Sequence, residues 1–164
     1  MKPIHLYILE HLTQPTAYLM VGIPGAGKST WIEENLPEDI NIISRDKIRV
    51  EIGMAKNVDD KRVGTHEEEA KITHIENDYI KKAVANGETF VIDDTNYRRK
   101  YRRKTIKLLR ELGVHIIAVN LNTPVETCIK RREGQVDPEI MNDIAKKFMP
   151  VSDDEDVDEI INVD

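Results

Sequence analysis

The fold is decided by the stretch Tyr18-Leu19-Met20-Val21-Gly22-Ile23-Pro24-Gly25-Ala26-Gly27-Lys28-Ser29-Thr30-Trp31. Its first four residues predict a short buried strand, and the residues from 30 onward predict a helix. Residues 22–29 between them match the pattern G-x-x-x-x-G-K-[ST], which requires this strand and helix context. Glycines in such a turn let consecutive backbone N–H groups surround phosphate oxygens, and the helix N-terminus adds positive potential. The stretch therefore predicts a phosphate-binding loop that follows the first strand of a sheet.

The parts of this loop have separate expected roles in binding a nucleoside triphosphate with magnesium. Lys28 should reach the β- and γ-phosphates, and the Ser29 hydroxyl should bind Mg²⁺. The alternative is a glycine-rich turn that carries Lys-Ser by coincidence, and the flanking strand and helix patterns disfavour it. The expected cofactors are ATP and Mg²⁺, held by Gly22, Ile23, Pro24, Gly25, Ala26, Gly27, Lys28, Ser29 and Thr30.

Short apolar, β-branched runs alternate with amphipathic stretches along the chain, which predicts an α/β fold with a central parallel sheet flanked by helices. Thr65 and Glu68 form a capping-box pattern before a long helix. Thr123 should cap a helix that begins with Pro124, and Asp137 should start a further helix. The predicted strands, about five, are 18–21, 40–43, 89–93, 114–120 and 157–163.

The second predicted strand runs into Ser44-Arg45-Asp46-Lys47-Ile48-Arg49, at the sheet edge where ligands of α/β proteins gather. A carboxylate at Asp46 could accept the proton of an incoming hydroxyl group. Arg49 lies about one turn further along a predicted helix and could hold an anionic part of the acceptor. The alternative is that Asp46 caps this helix and that Arg49 is a surface cation. The spacing leaves both interpretations open.

The third predicted strand ends in Asp93-Asp94-Thr95-Asn96. An apolar run that closes on carboxylates suits the acid on the magnesium side of a phosphate site. Asp93 or Asp94 is therefore the candidate, and an acidic turn at the end of a strand is the alternative.

Two groups of cations follow the predicted strands. Residues 98–104 hold six cations in seven positions, which suits a phosphodiester backbone, and the solvated start of a helix is the alternative. Arg131 and Arg132 close a later helix within a predicted helical lid, where either could clamp a migrating phosphoryl group. Cations at a helix C-terminus also stabilise the helix itself, which is the alternative for this pair. The acidic residues 153–156 predict a solvated loop.

Composition limits the classes of function. The 164 residues, 40% of them hydrophobic, suit one domain over 1–164, with 1–16 as an extension of open structure. The net charge of -6 argues against a generally basic nucleic-acid binder, so any such contact must be local. Cys128 is the only cysteine and is expected in the core, which fits a cytoplasmic location. No apolar run approaches the roughly 20 residues that span a bilayer, so no membrane association is expected. The oligomeric state stays open.

Together these motifs resemble the kinase domain of bacteriophage polynucleotide 5'-hydroxyl kinases and, more broadly, the small P-loop kinases. Within residues 18–163, three blocks carry the resemblance in matching order and spacing: 22–31, 44–49 and 94–96. The resemblance implies a P-loop kinase fold with a helical lid and ATP-dependent transfer of the γ-phosphate to the 5'-hydroxyl of DNA or RNA. A nucleic-acid end is then the implied partner. The phosphatase module of some relatives is missing from this chain, so no 3'-phosphatase activity is expected.

The resemblance also implies roles for single residues. Asp46 would be the general base toward the acceptor hydroxyl, and Lys28 and Arg131 would stabilise the transferring phosphoryl group. Asp94 would belong to the nucleotide and magnesium site together with Ser29.

Two further positions follow from the resemblance. These kinases carry a second lid arginine about one turn after the first, at a position near Gln135 here, and Arg132 is the expected substitute. The implied acceptor-binding residues are Arg45, Arg49, Asp94 and Asn96.

Two other functions stay open. Related enzymes on this scaffold phosphorylate sugars, nucleosides, antibiotics or peptidoglycan precursors, so a small-molecule kinase is the main alternative. Residues 98–104 are the feature that favours a polynucleotide. An ATP-hydrolysing switch protein would turn over ATP without an acceptor, whereas Asp46 with Arg49 predicts stimulation by a hydroxyl acceptor.

Overall fold

A computed structural model of the chain describes residues 3–4, 14–54 and 65–164. Within them, one parallel sheet has the strand order β2-β3-β1-β4-β5. The predicted α/β fold and all five predicted strands are confirmed, with small shifts at their ends. The extension at 1–16 lies mostly outside the described residues. The strands are β1 (Thr16–Val21), β2 (Asn41–Ile43), β3 (Thr89–Ile92), β4 (His115–Leu121) and β5 (Glu159–Val163).

Helices cover both faces of the sheet. Alternate residues of β1, β3 and β4 pack into two apolar clusters, one shared with α3 and α4 and the other with α1, α5 and α6. Burial on both faces explains why these strands read as continuous apolar runs. In the described part of the chain, no helix has both the length and the apolar character that crossing a bilayer requires. The helices are α1 (Lys28–Asn35), α2 (Arg45–Glu51), α3 (His66–Ala85), α4 (Arg99–Glu111), α5 (Val125–Arg131) and α6 (Pro138–Lys147).

Helix starts were predicted with mixed success. The capping box of α3 is confirmed, because the Thr65 hydroxyl accepts from the Glu68 N–H at 3.2 Å and the Glu68 carboxylate accepts from the Thr65 N–H at 3.0 Å. The predicted cap at Thr123 is wrong, since Pro124 precedes α5 and no side chain caps that helix. The Thr123 hydroxyl instead donates to the Ala26 carbonyl oxygen at 2.8 Å, because the phosphate-binding loop lies within its reach.

The expected solvated loop at 153–156 is wrong at Glu155. The buried Glu155 carboxylate accepts two hydrogen bonds of 2.7 Å from the guanidinium of Arg102, which is itself 1% exposed. Arg99 pairs with Asp154 at 2.6 Å. The acidic run and the basic run meet in the fold, so two of the six cations in 98–104 hold α4 against the loop before β5.

Candidate functional site

The phosphate-binding loop joins β1 to α1 and depends on two glycines with left-handed backbone conformation. The φ angles are 82° at Gly25 and 100° at Gly27, a region that glycine adopts without steric cost. A Cβ atom at Gly25 would lie 2.8 Å from the carbonyl oxygen of Cys128, a core residue as predicted. The loop therefore lies against α5, and at Gly25 and Gly27 no side chain covers its backbone. Phosphate oxygens can approach backbone N–H groups closely in such an arrangement.

Lys28 begins α1 beneath this loop. Its Nζ donates to the Gly22 carbonyl oxygen at 3.2 Å. Burial lowers the pKa of Lys28 below its usual value, the negative charge of Asp93 opposes that shift, and the positive charge of Arg132 adds to it. A desolvated ammonium group interacts strongly with an anion, so Lys28 is well placed to meet phosphate oxygens.

A cleft of about 1280 Å³ follows the carboxyl ends of the strands. The loop, the start of α2, the residues after β3 and residues of α5, α6 and their connection all line it. Ligands of open α/β sheets bind at this edge. The volume exceeds the roughly 300–1,000 Å³ of a typical small-molecule site, which leaves room for a nucleotide and an acceptor together.

Asp46 and Arg49 line this cleft side by side. The Arg49 guanidinium donates to the Asp46 carboxylate at 3.0 Å. Ser44 is the cap of α2, because its hydroxyl accepts from the Lys47 N–H at 3.4 Å, so the helix-cap interpretation of Asp46 is wrong. The side chain of Arg49 is 16% exposed and that of Asp46 is 57% exposed. Arg49 is therefore no surface cation, and the carboxylate beside it is accessible.

Arg45 departs from its predicted role in binding the acceptor. Its guanidinium turns toward α3 and donates to Thr73 Oγ1 at 3.0 Å, Glu76 Oε2 at 3.0 Å and Glu69 Oε2 at 2.7 Å. These acceptors lie on the face of α3 that meets α2, so the side chain joins the two helices. Arg45 itself borders the cleft, and its backbone N–H donates to the cleft-lining Asp94 Oδ1 at 2.9 Å.

Asn96 also departs from its predicted role. Its φ of 47° is the only positive value at a non-glycine residue in the described ranges, and asparagine tolerates this conformation. Its side-chain amide donates to the Met20 carbonyl oxygen at 2.9 Å. Thr95 and Tyr97 line the cleft on either side of it, whereas Asn96 does not. Asn96 therefore shapes the turn after β3.

Two neighbouring carboxyl groups, Asp93 and Asp94, line the cleft in different electrostatic environments. Burial raises the pKa of Asp93, and the positive charges of Lys28 and Lys47 oppose that shift. Burial and the neighbouring Glu76 carboxyl raise the pKa of Asp94 well above its usual range. Glu76 Oε1 is buried without a hydrogen-bond partner among the described residues. Asp93 thus interacts mainly with Lys28 of the phosphate-binding loop, whereas Asp94 interacts with Arg45 of α2 and Glu76 of α3.

Sequence reasoning missed two acids of α3. Glu69 accepts from Arg49 at 3.1 and 3.2 Å and from Arg45 at 2.7 Å, and Glu76 is 5% exposed. Burial by itself would raise the pKa of Glu69, but the hydrogen bonds from Arg45 and Arg49 lower it below its usual value. A signal existed for Glu76, because it interrupts an otherwise apolar buried stripe at helical spacing. That stripe consists of Ile72, Ile80 and Ala83.

The lid places both of its predicted arginines on the cleft. The Arg131 guanidinium donates to the Gly25 carbonyl oxygen of the phosphate-binding loop at 3.1 Å. The Arg132 guanidinium donates to Gln135 Oε1 at 3.1 Å. All three side chains belong to cleft-lining residues, so Gln135 holds Arg132 near the position where a second lid arginine was expected.

Comparison with known proteins places this geometry in a family context. Residues 18–147 match the family model AAA_33, an AAA domain. An L-seryl-tRNA(Sec) kinase from Methanococcus maripaludis is 28% identical over 141 residues, which are 79% of this chain and 51% of that protein. The chain thus spans about half the length of this curated relative.

Solved structures share the fold. A chain of the Pnkp1/Rnl/Hen1 RNA repair complex has a TM-score of 0.67 at 20% identity, with 82% of this chain and 44% of that chain covered. A sugar kinase from a Janibacter species has a TM-score of 0.64 at 17% identity, with 92% of this chain and 85% of that chain covered. The fold is therefore the P-loop kinase fold.

Proposed function

The chain belongs to the AAA_33 family of AAA domains, and on this premise we propose that it transfers the γ-phosphate of ATP to a hydroxyl acceptor. The observation that supports this best is that a phosphate-binding part and a part suited to an acceptor line the same cleft. The loop with Lys28 forms the first part, and Asp46 with Arg49 forms the second. A protein that only hydrolyses ATP needs no space for an acceptor, so a cleft with room for a second ligand beside the nucleotide supports phosphotransfer better than the switch alternative.

The loop residues fit the triphosphate of ATP. Crowding at Gly25 excludes side chains, and the buried ammonium group of Lys28 favours an anionic partner. Ser29 and Asp94, with Asp93 beside them, are the proposed magnesium residues, because hydroxyl and carboxylate oxygens suit this cation. Bound Mg²⁺ would neutralise charge on the phosphates. Residues 22–30 with Arg131 and Arg132 form the proposed nucleotide-binding set.

Asp46 is the proposed general base. It would take the proton of the acceptor hydroxyl while the acceptor oxygen bonds to the γ-phosphorus and the bond from that phosphorus to the ADP oxygen breaks. Lys28 and Arg131 would stabilise the charge on the transferring group. The guanidinium of Arg45 bonds to residues of α3, and Asn96 does not line the cleft. Arg49 and Asp94 both line it and are the proposed acceptor-binding side chains.

The proposed acceptor is the 5'-hydroxyl end of DNA or RNA. Support comes from the cations of 98–104 that do not hold the loop before β5, and from two similar proteins whose names refer to RNA, the tRNA kinase and the RNA repair complex. A small molecule is the second candidate acceptor, because the sugar kinase shares this fold over most of its own length.

The test is transfer of labelled γ-phosphate from ATP to a 5'-hydroxyl oligonucleotide, beside a panel of nucleosides and sugars. Asp46→Asn should lower transfer about 10²–10⁴-fold, the usual contribution of a general base, and leave ATP binding intact. The fold should tolerate this change because Ser44 caps α2. The control Asp39→Asn removes an exposed carboxylate at the amino end of β2 and should transfer normally.

Each outcome separates the candidates. If only a small molecule becomes labelled, the acceptor is that small molecule and not a nucleic acid, and the proposed phosphotransfer still holds. ATP consumption with no labelled acceptor would support the switch protein. Undiminished transfer by Asp46→Asn would contradict the role of Asp46 as a base.

A further inference from the structure

An exposed aromatic ring lies between two cations at the start of α4. The side chain of Tyr101 is 55% exposed. Arg98 Cζ lies 5.3 Å from its ring centroid, and Lys100 Nζ lies 5.9 Å from it. These three residues are named the Tyr101 patch. Proteins that bind single-stranded nucleic acid stack bases on such rings or on guanidinium planes and hold phosphates with the adjacent cations.

Among the residues that the structure describes, the side chains of Arg98 and Lys100 make no hydrogen bond or ion pair that would hold the fold together. Unlike Arg99 and Arg102, which hold the loop before β5, Lys100 is exposed at the start of α4. The first turn of α4 contains no acidic residue, and Arg98 at its cap position makes no side-chain capping bond. Cations at a helix N-terminus oppose the helix dipole, which costs stability instead of adding to it.

Nearby acids do not neutralise the patch. Asp143 of α6 feels the charge of Arg98, but its carboxylate pairs with Lys147 at 2.8 Å. Asp154 pairs with Arg99 at 2.6 Å. Two further exposed cations, Arg103 and Lys104, follow on α4. The surface is therefore locally positive in a chain whose net charge is -6.

The patch is continuous with the rim of the cleft. Tyr97 lines the cleft, and Arg98 follows it directly at the cap of α4. The half-exposed Met149 is held to the same turn, because its N–H donates to the Tyr97 carbonyl oxygen at 2.8 Å. Tyr101 lies in the first turn of α4, because its N–H donates to the Arg98 carbonyl oxygen at 3.1 Å, so the patch is at the end of α4 that adjoins the cleft.

We propose that the Tyr101 patch binds the single-stranded segment that follows the 5'-terminal nucleotide of a nucleic-acid acceptor. A base stacks on Tyr101, and the flanking phosphates lie against Arg98 and Lys100. This inference rests on the proposed function, since the end of the strand occupies the cleft. It gives the cleft a second contact that a nucleoside or sugar cannot reach.

Two acceptors of different length test the patch. A nucleoside 3'-monophosphate reaches only the cleft, whereas a single-stranded 5'-hydroxyl oligonucleotide of about ten nucleotides reaches both. Tyr101→Ala should lower kcat/KM for the oligonucleotide about tenfold, the typical loss of one stacked base, and leave the monophosphate unchanged. Tyr101→Phe keeps the ring and should behave as the unaltered protein does.

Salt dependence tests the cations. Replacing Arg98 and Lys100 by Gln should reduce the slope of log affinity against log salt by about 0.7 for each cation. Lys82→Gln is the matched control, because this exposed lysine lies in the last turn of α3, at the opposite edge of the sheet.

The outcomes distinguish this inference from the proposed function. An equal loss for both acceptors, or no loss for the oligonucleotide, would overturn the patch. Absence of transfer to either acceptor by the unaltered protein would refute the proposed acceptor. In that case, fluorescence anisotropy of a labelled oligonucleotide still tests whether the Tyr101 patch binds nucleic acid. Weaker binding by Tyr101→Ala than by the unaltered protein would support the inference, and equal binding would refute it.

Discussion

Gly25 is a residue of the phosphate-binding loop that packs directly against α5 and the lid arginines. Its φ is 82°, and an added Cβ atom would meet the Cys128 carbonyl oxygen at 2.8 Å and Arg132 Cγ at 3.1 Å. Gly113 has a similar φ of 73°, but its Cβ would meet no heavy atom of the described residues within 4 Å. A substitution at Gly113 therefore adds backbone strain alone, whereas the same substitution at Gly25 adds both backbone strain and a steric clash with α5 and the lid.

Gly25→Ala should lower ATP affinity by roughly tenfold or more, because the loop must move away from α5 to admit the methyl group. Gly113→Ala should cost about 1 kcal/mol in the free energy of unfolding, the cost of left-handed backbone, and leave ATP affinity unchanged. Calorimetric titration and denaturant unfolding measure the two quantities. Equal effects of the two substitutions on affinity would contradict a role for the contact between loop and lid.

Helix α4 and the loop before β5 are joined by the ion pair of Arg102 with Glu155. Burial by itself would raise the pKa of Glu155, but hydrogen bonds from Arg102 and from the Ser152 N–H lower it below its usual value of 4.5. A lowered pKa means that folding favours the charged carboxylate. Its contribution to stability is therefore complete above pH 4.5 and is lost as the pH falls through the folded-state pKa.

Glu155→Gln should lower the free energy of unfolding at pH 7 by about 3–5 kcal/mol, because Arg102 would keep a buried charge without its partner. The difference from the unaltered protein should shrink in acid, where Glu155 is protonated as well. Asp153→Asn removes an exposed charge from the same run and should change stability by less than about 0.5 kcal/mol. A difference for Glu155→Gln that is constant with pH would argue against the ion pair as its cause.

The cleft is lined by residues from many segments of the chain, from the loop after β1 to α6. A ligand that binds there should therefore stabilise the complete fold by linkage. At about 100 times its dissociation constant, ATP with Mg²⁺ should add about 2.7 kcal/mol, which corresponds to a rise in Tm of about 5–10 °C.

Differential scanning fluorimetry with and without ATP and Mg²⁺ measures this rise. Lys28→Ala should abolish it, because the buried ammonium group provides the main charge for the phosphates. Lys82→Gln changes a lysine far from the cleft and should retain it. An unaltered protein whose Tm does not respond to ATP would speak against the nucleotide site.

The sheet, the phosphate-binding loop and the start of α3 could all be predicted from the amino-acid sequence. These features depend on signals within a few residues, such as β-branched apolar runs, the spacing of glycines and the pairing of Thr65 with Glu68. An apolar run or a hydrogen bond that closes within one helical turn can be recognised without knowledge of distant parts of the chain. The pairing of Asp46 with Arg49 was suggested by the same local spacing, since both lie on one turn of α2.

The sequence did not predict which polar side chains line the cleft and which hold the fold together, because that depends on how the helices pack. Arg45 and Arg49 are one turn apart and both bond to Glu69 of α3, yet only Arg49 also bonds to Asp46 in the cleft. Arg102 lies in a run of cations but is buried against Glu155, which is 53 residues away in sequence. Long charged side chains bind whichever partner the packing of helices brings near, and local spacing does not encode that partner.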